Sequence, residues 1–148
     1  MTVKVLNHPL INVLMTNLRS KETSSFEFRY TAKKISSLMA YEIFKDLKIE
    51  RKKIETPLDN FLGAKVKDPK PCVISILRAG LIISEGITDI FDDASIGHIG
   101  MYRDEKTLSP VNYLIKLPSN LQNRQSFLCD PMLATGGSAI SSLETLKQ

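Results

Sequence analysis

The sequence has no tryptophan, two cysteines and no apolar run of the roughly 20 residues that a membrane-spanning helix needs. Cys72 and Cys129 are too far apart for a metal-ligand motif and too few for a disulfide framework. Each lies in an apolar stretch, so we expect two buried thiols in a reducing compartment. The amino terminus also lacks a charged-then-apolar signal. We therefore expect a soluble, cytoplasmic protein with no membrane partner.

Acidic residues are outnumbered by basic ones, 16 to 20, which gives a net charge of +4. A nucleic-acid-binding domain is one interpretation of this charge, and its affinity would fall steeply with salt. The compact basic run Arg51-Lys52-Lys53, however, has no interleaved aromatic residues of the kind that stack on bases. We interpret the charge as a solvated face and expect no nucleic-acid partner.

The length and composition favour one globular domain over residues 1–148, since 148 residues that are 43% hydrophobic can bury a sizeable core. Helical spacing of apolar residues predicts a short helix from Pro9 to Leu18. Ser24 and Glu27 form a capping box that predicts a second helix, ending near Lys45. Charges and turn residues over 48–68 indicate a polar hairpin.

Beyond Pro71 the pattern changes to alternating strands and helices. The run from Cys72 to Leu77 is apolar except for Ser75, which is typical of a central strand covered on both faces. Further strands are predicted at 95–101, 111–117 and 126–129, and helices at 81–91 and 138–147. This order predicts an α/β fold with a mostly parallel central sheet flanked by helices.

The strongest functional signal is the loop between the last predicted strand and the last helix. Such loops bind ligands in parallel α/β sheets, and the helix amino terminus favours an anion. The loop lacks the Gly-Lys-Ser/Thr ending of a nucleoside-triphosphate loop, which favours a single phosphate. An ordinary helix capped by Ser138 after a glycine-rich turn is the alternative. The candidate residues are Asp130, Pro131, Met132, Leu133, Ala134, Thr135, Gly136, Gly137 and Ser138.

Two arginines follow neighbouring strands and are candidates for a second anionic group. Arg78 begins a small-residue turn, and Arg103 lies in a charged loop; both could instead be solvated surface groups. His98 is a possible general base, although a histidine on an apolar strand is more often a packed residue. Ser75 and Ser84 have no His and Asp partners at a recognisable spacing, so a nucleophilic triad is not supported.

The segment from Asp130 to Ala139 resembles the 5-phospho-α-D-ribose 1-diphosphate (PRPP) motif of type I phosphoribosyltransferases in its uracil-specific form. The rest of the chain is similar to uracil phosphoribosyltransferases in segments that occur in the family's order. These segments are His8-Pro9-Leu10, Glu27-Phe28-Arg29, Ala40-Tyr41-Glu42, Ile54-Glu55-Thr56-Pro57, Ile76-Leu77-Arg78-Ala79-Gly80-Leu81, Gly97-His98-Ile99-Gly100, Tyr102-Arg103-Asp104-Glu105 and Lys116-Leu117-Pro118.

The resemblance implies a type I phosphoribosyltransferase fold that makes UMP and diphosphate from uracil and PRPP in pyrimidine salvage. By the same resemblance, Arg78 and Arg103 would hold the diphosphate, Asp130 the ribose hydroxyls, and residues 132–138 the 5′-phosphate. Mg²⁺ would arrive on PRPP, and the loop from Arg103 to Pro110 would close over the substrate.

The resemblance also implies homo-oligomers and, in some members, a GTP effector. Family chains continue into a carboxyl-terminal hood that contacts uracil, so we expect this chain to be incomplete there and to lack uracil-binding residues. An inactive fragment is one interpretation of the chain. A non-catalytic PRPP-binding or nucleotide-binding regulatory module is the alternative function.

Overall fold

The computed structural model describes residues 3–104 and 110–147, except the side chain of Arg103. The predicted closing loop falls mostly on residues 105–109, which lie outside the described residues. The helices and strands, in chain order, are α1 (Pro9–Arg19), α2 (Ser25–Ile43), β1 (Ile49–Glu55), β2 (Asn60–Val66), β3 (Cys72–Leu77), α3 (Gly80–Thr88), β4 (Ser95–Arg103), β5 (Pro110–Lys116), β6 (Ser126–Cys129) and α4 (Gly137–Lys147).

The central sheet has the strand order β5-β4-β3-β6. Strand β3 pairs in parallel with both β4 and β6, whereas β5 pairs antiparallel with β4. Residues 72–76 of β3 are all buried, as expected for a strand covered on both faces. The predicted mostly parallel α/β sheet and the central position of β3 are therefore confirmed.

The core lies on both faces of the sheet because successive side chains of β3 point to opposite sides. On one face, Val73 packs with Ala40 of α2, Ile87 of α3 and Cys129 of β6. On the other, the buried cluster of Cys72, Ile74 and Ile99 receives partly buried residues that include Leu146 of α4. The molecule is thus layered as helices, sheet and helix, which leaves the strand ends free to carry a site.

Helix α2 begins as the sequence predicts, with the Ser24 hydroxyl accepting from the Glu27 amide and the Glu27 carboxylate accepting from the Ser24 amide. It packs closely on α3, since a Cβ on Gly86 would overlap the carbonyl oxygen of Lys33. The predicted end of α3 at Phe91 is wrong, since the helix ends at Thr88. Ile90, which helical spacing places on one side with Ile83 and Ile87, is 56% exposed.

The predicted hairpin is confirmed as β1 and β2, which pair antiparallel in a separate two-stranded sheet. In the described part of the chain, the two strands pack mainly on each other. Several large apolar side chains of the hairpin are exposed, namely Ile49, Ile54, Leu58, Phe61 and Leu62. Within the described ranges, no helix combines the length and apolar content needed to cross a bilayer.

Candidate functional site

The carboxyl ends of three neighbouring parallel strands meet at one edge of the sheet. Arg78 follows β3, Arg103 ends β4 and Asp130 follows β6. Adjacent strands lie about 4.8 Å apart, so the outer two of these three ends are separated by about 10 Å. The edge of a parallel sheet where carboxyl ends converge is the usual ligand site in such folds. The structure therefore brings the three predicted segments together. The side chain of Arg103 is not among the described parts of the chain.

The turn after β3 places an unengaged cation at this edge. The Leu77–Arg78 peptide bond is cis, and the Leu81 amide donates to the Arg78 carbonyl at 3.2 Å. The Arg78 side chain is exposed and makes no hydrogen bond or ion pair within the described residues. A guanidinium in this position can donate several hydrogen bonds to one anionic group.

Gly80 brings this turn against the strand that carries Asp130. A Cβ at Gly80 would overlap the carbonyl oxygen of Cys129, the last residue of β6. Because β3 and β6 are paired in parallel, this contact holds the two ligand-facing segments side by side. The sequence does not predict this contact of Gly80, because the contact depends on the pairing of the two strands.

The loop from Asp130 to Ser138 forms an open recess of about 100 Å³ in front of α4. A recess of this size can admit a group as small as a phosphate. Gly136 has a φ of +79°, a left-handed conformation that favours glycine. The first intrahelical bond here runs from the Ile140 amide to the Gly136 carbonyl, at 2.8 Å.

The amino terminus of α4 supplies donors to this recess. The N–H groups of Gly137, Ser138 and Ala139 precede the first intrahelical bond and have no acceptor within the helix. The helix dipole adds partial positive charge at the same end. The recess can therefore bind an anion without a lysine.

Asp130 is the one carboxylate in this loop. Within the described residues, its Oδ1 accepts a single long hydrogen bond, 3.5 Å from the Met132 amide, and the side chain is half-buried. Most of its acceptor capacity is thus free for ligand hydroxyl groups. Pro131, Met132, Leu133, Ala134 and Thr135 are all exposed along the loop.

His98 lies within β4, level with Ser75, and not at the ligand edge. Its Nδ1 is buried with no hydrogen-bond partner in the described part of the chain. The site therefore gains no general base from it. Ser75 and Ser84 are hydrogen-bonded to each other, with 2.7 Å between their Oγ atoms, instead of forming a nucleophilic triad.

Both cysteines are buried free thiols, as the apolar surroundings predict. Burial raises the pKa of the Cys72 thiol. Burial, with a smaller contribution from Cys72, raises the pKa of Cys129 to about 12. A thiol with so high a pKa is a poor nucleophile, so we interpret Cys129 as a core residue.

The described residues contain no group of three or more His, Cys, Asp or Glu that could hold a metal ion. Mg²⁺ sites in proteins commonly use one or two carboxylates together with substrate phosphates. A loop with a single half-buried carboxylate fits a metal that arrives with an anionic ligand.

Comparison with known proteins identifies the same family over nearly the whole chain. The model of the family described as uracil phosphoribosyltransferase matches residues 5–148. A uracil phosphoribosyltransferase of Latilactobacillus sakei is 48% identical over 144 residues, covering 97% of this chain and 69% of that enzyme. One from Malacoplasma penetrans is 49% identical over 143 residues, with coverage of 97% and 69%.

The fold agrees with that of a solved protein. A structure from Aquifex aeolicus superposes with a TM-score of 0.87 at 33% sequence identity. The match covers 95% of this chain and 67% of that one. The family match over residues 5–148 includes the Arg78 turn and the Asp130 loop.

Proposed function

This chain belongs to the uracil phosphoribosyltransferase family, and from that premise we propose that it transfers the phosphoribosyl group of PRPP to uracil in pyrimidine salvage. The products are UMP and diphosphate. The observation that carries the proposal is the meeting of the Arg78 turn and the Asp130 loop at one sheet edge, joined through Gly80. A cation on one side and an anion cradle on the other suit a sugar with phosphate groups at both ends.

The 5′-phosphate binds in the recess of residues 132–138. Its oxygens accept from the free N–H groups at the start of α4, and the hydroxyls of Thr135 and Ser138 add donors. The half-buried Asp130 accepts from the ribose hydroxyls beside the phosphate. These contacts fix the sugar so that its C1 faces the incoming base.

The diphosphate is held on the other side of the sugar by Arg78 and, by the family resemblance, Arg103. In the reaction the uracil N1 forms a bond to C1 while the bond from C1 to the diphosphate oxygen breaks. The electrons of the broken bond leave with the diphosphate, and the N1 proton is released to solvent. Arg78 stabilises the negative charge that develops there, and the site needs orientation more than a protein nucleophile.

A divalent metal, which we propose to be Mg²⁺, enters with PRPP. Bound to the substrate, it neutralises part of the diphosphate charge. Asp130, the one carboxylate of the loop, would be the residue to hold such a metal beside the substrate. The protein's own contribution is to hold the phosphate, the ribose and the leaving group in one orientation.

Two finer properties follow from the family resemblance, namely self-association and a GTP effector. The exposed apolar side chains of the β1–β2 hairpin support the first, because patches of this kind on soluble proteins mark contact surfaces. We propose that a second copy of the chain covers them.

The test of function is an assay of the 148-residue chain with PRPP, Mg²⁺ and labelled uracil. Uracil-dependent release of diphosphate together with UMP is the expected result. Binding of PRPP with no UMP would support a non-catalytic PRPP-binding module, or an inactive fragment of the enzyme, instead. A folded protein that neither binds PRPP nor makes UMP would refute both.

A further inference from the structure

Two buried hydroxyl groups lie directly behind the Arg78 turn. Ser75 of β3 is completely buried and Ser84 of α3 is 6% exposed. The Ser75 hydroxyl donates to the Ser84 Oγ at 2.7 Å, and the Ser84 hydroxyl donates to the Leu81 carbonyl at 2.9 Å. Neither hydroxyl reaches the ligand edge, so neither has a part in the site described above.

This hydrogen-bonded pair spans the turn from one side to the other. Ser75 lies on the strand that precedes Arg78, and Ser84 lies on the helix that follows it. Leu81 completes the connection, since its amide donates to the Arg78 carbonyl at 3.2 Å. These hydrogen bonds, joined through the backbone of Leu81, therefore link the strand, the helix and the backbone of Arg78.

We propose that the Ser75–Ser84 hydroxyl pair is a positioning device that fixes the Arg78 turn for binding the diphosphate of PRPP. The inference rests on the proposed function. Apolar residues could fill the same space between β3 and α3, but they would not restrain the turn by hydrogen bonds of defined direction. A turn that is already ordered does not have to be ordered at the moment of binding, and this raises affinity.

The direction of the two bonds predicts an unequal effect of removing each serine. In Ser84→Ala, the buried Ser75 hydroxyl loses its acceptor and the Leu81 carbonyl loses its donor. In Ser75→Ala, the Ser84 hydroxyl still donates to Leu81. An unsatisfied buried donor is more costly than a lost bond, so Ser84→Ala should have the larger effect. Replacing both serines should be less harmful than the sum of the two single changes.

The experiment combines hydrogen exchange with PRPP titration on the same variants. We expect Ser84→Ala to speed amide exchange at residues 78–84 and to weaken PRPP binding about fivefold to tenfold, with a smaller change in Ser75→Ala. Ser36→Ala is the matched control, because Ser36 is equally buried and its hydroxyl donates to the Ala32 carbonyl, away from the turn. It should leave both exchange at the turn and PRPP affinity unchanged.

The experiment distinguishes failure of the positioning role from failure of the proposed function. Exchange needs no ligand, so unchanged exchange at residues 78–84 in Ser84→Ala would overturn the positioning role whatever the protein binds. Equal loss of PRPP affinity in Ser36→Ala would also overturn it, since general destabilisation would then explain the effect. Lack of PRPP binding by the wild-type chain would instead overturn the proposed function.

Discussion

Gly136 and Gly137 are neighbours in the phosphate loop, yet they have different physical roles. Gly136 has a φ of +79°, which a residue with a Cβ adopts only with strain. Gly137 is the first residue of α4, and a Cβ there would meet only the Thr135 hydroxyl, at 3.8 Å. The sequence shows both glycines but not which of them the backbone conformation requires.

The pair provides a matched test of loop strain. Gly136→Ala should lower the free energy of unfolding by about 1–2 kcal/mol, the cost of a left-handed residue with a side chain. Gly137→Ala should be neutral or stabilising by up to about 1 kcal/mol, because it restricts the unfolded chain at a compatible position. Urea denaturation of both variants measures the difference. Equal effects would show that the backbone at position 136 does not require a glycine.

The buried Cys129 thiol predicts that the free energy of unfolding falls at high pH. Its pKa of about 12 in the folded protein lies above the ordinary value of about 8.5. Between these two values the folded state keeps the thiol proton while the unfolded state has lost it. The free energy of unfolding contributed by this group is therefore constant below about pH 8.5 and falls as the pH rises above it.

Urea denaturation from pH 7.5 to pH 10.5 tests this assignment. The wild type should lose stability more steeply than Cys129→Ala above pH 9, by up to about 1.4 kcal/mol per pH unit. The cavity left by the alanine lowers stability at every pH and does not change the slope. Parallel curves for the two proteins would mean that the Cys129 thiol titrates normally.

At the level of elements, the best predictions come from signals that lie within a few residues of one another. The capping box of Ser24 and Glu27 predicts the start of α2, and the nearly continuous apolar run predicts β3 to the residue. The end of α3 was mispredicted because Ile90 continues the helical spacing without being buried. Termini that packing decides are not visible in local sequence.

The residues of the candidate site also differ in whether a local motif predicts them. The Asp130 loop and Arg78 are recognisable because each belongs to a short contiguous motif. The Ser75–Ser84 bond and the contact of Gly80 with Cys129 depend on strand pairing and helix placement, which join residues far apart in sequence. The sequence therefore predicts the ligand contacts better than the residues that position them.

Substitution of Gly80 tests whether the Arg78 turn and the end of β6 must be in contact. Gly80→Ala should push the Arg78 turn away from β6, because the new Cβ would overlap the Cys129 carbonyl. We expect a loss of about 1–3 kcal/mol in unfolding free energy and weaker PRPP binding. Gly63→Ala in the hairpin is the control, since its nearest neighbour is a Phe61 ring carbon at 3.4 Å. Unchanged PRPP affinity in Gly80→Ala would argue against the contact.

At the level of the whole molecule, the central sheet carries the candidate site and the hairpin carries an exposed apolar surface. Phe61 and its cross-strand partner Ile54 are 58% and 41% exposed. If a second copy covers this surface, sedimentation should show dimers or larger species. Phe61→Asp should shift the protein toward monomer, whereas Val13→Asp on α1, also 58% exposed, should not. A monomeric wild type would contradict self-association.

Calorimetric titration of PRPP with Mg²⁺ into the wild-type chain, Arg78→Ala and Arg51→Ala tests most directly whether the sheet edge is a PRPP site. Arg51 is an exposed hairpin arginine, so its removal changes the net charge equally without touching the edge. Saturable binding that weakens about tenfold or more in Arg78→Ala, and is unchanged in Arg51→Ala, is the expected result. Equal affinity in Arg78→Ala and the wild type would contradict the assignment of Arg78 to the diphosphate.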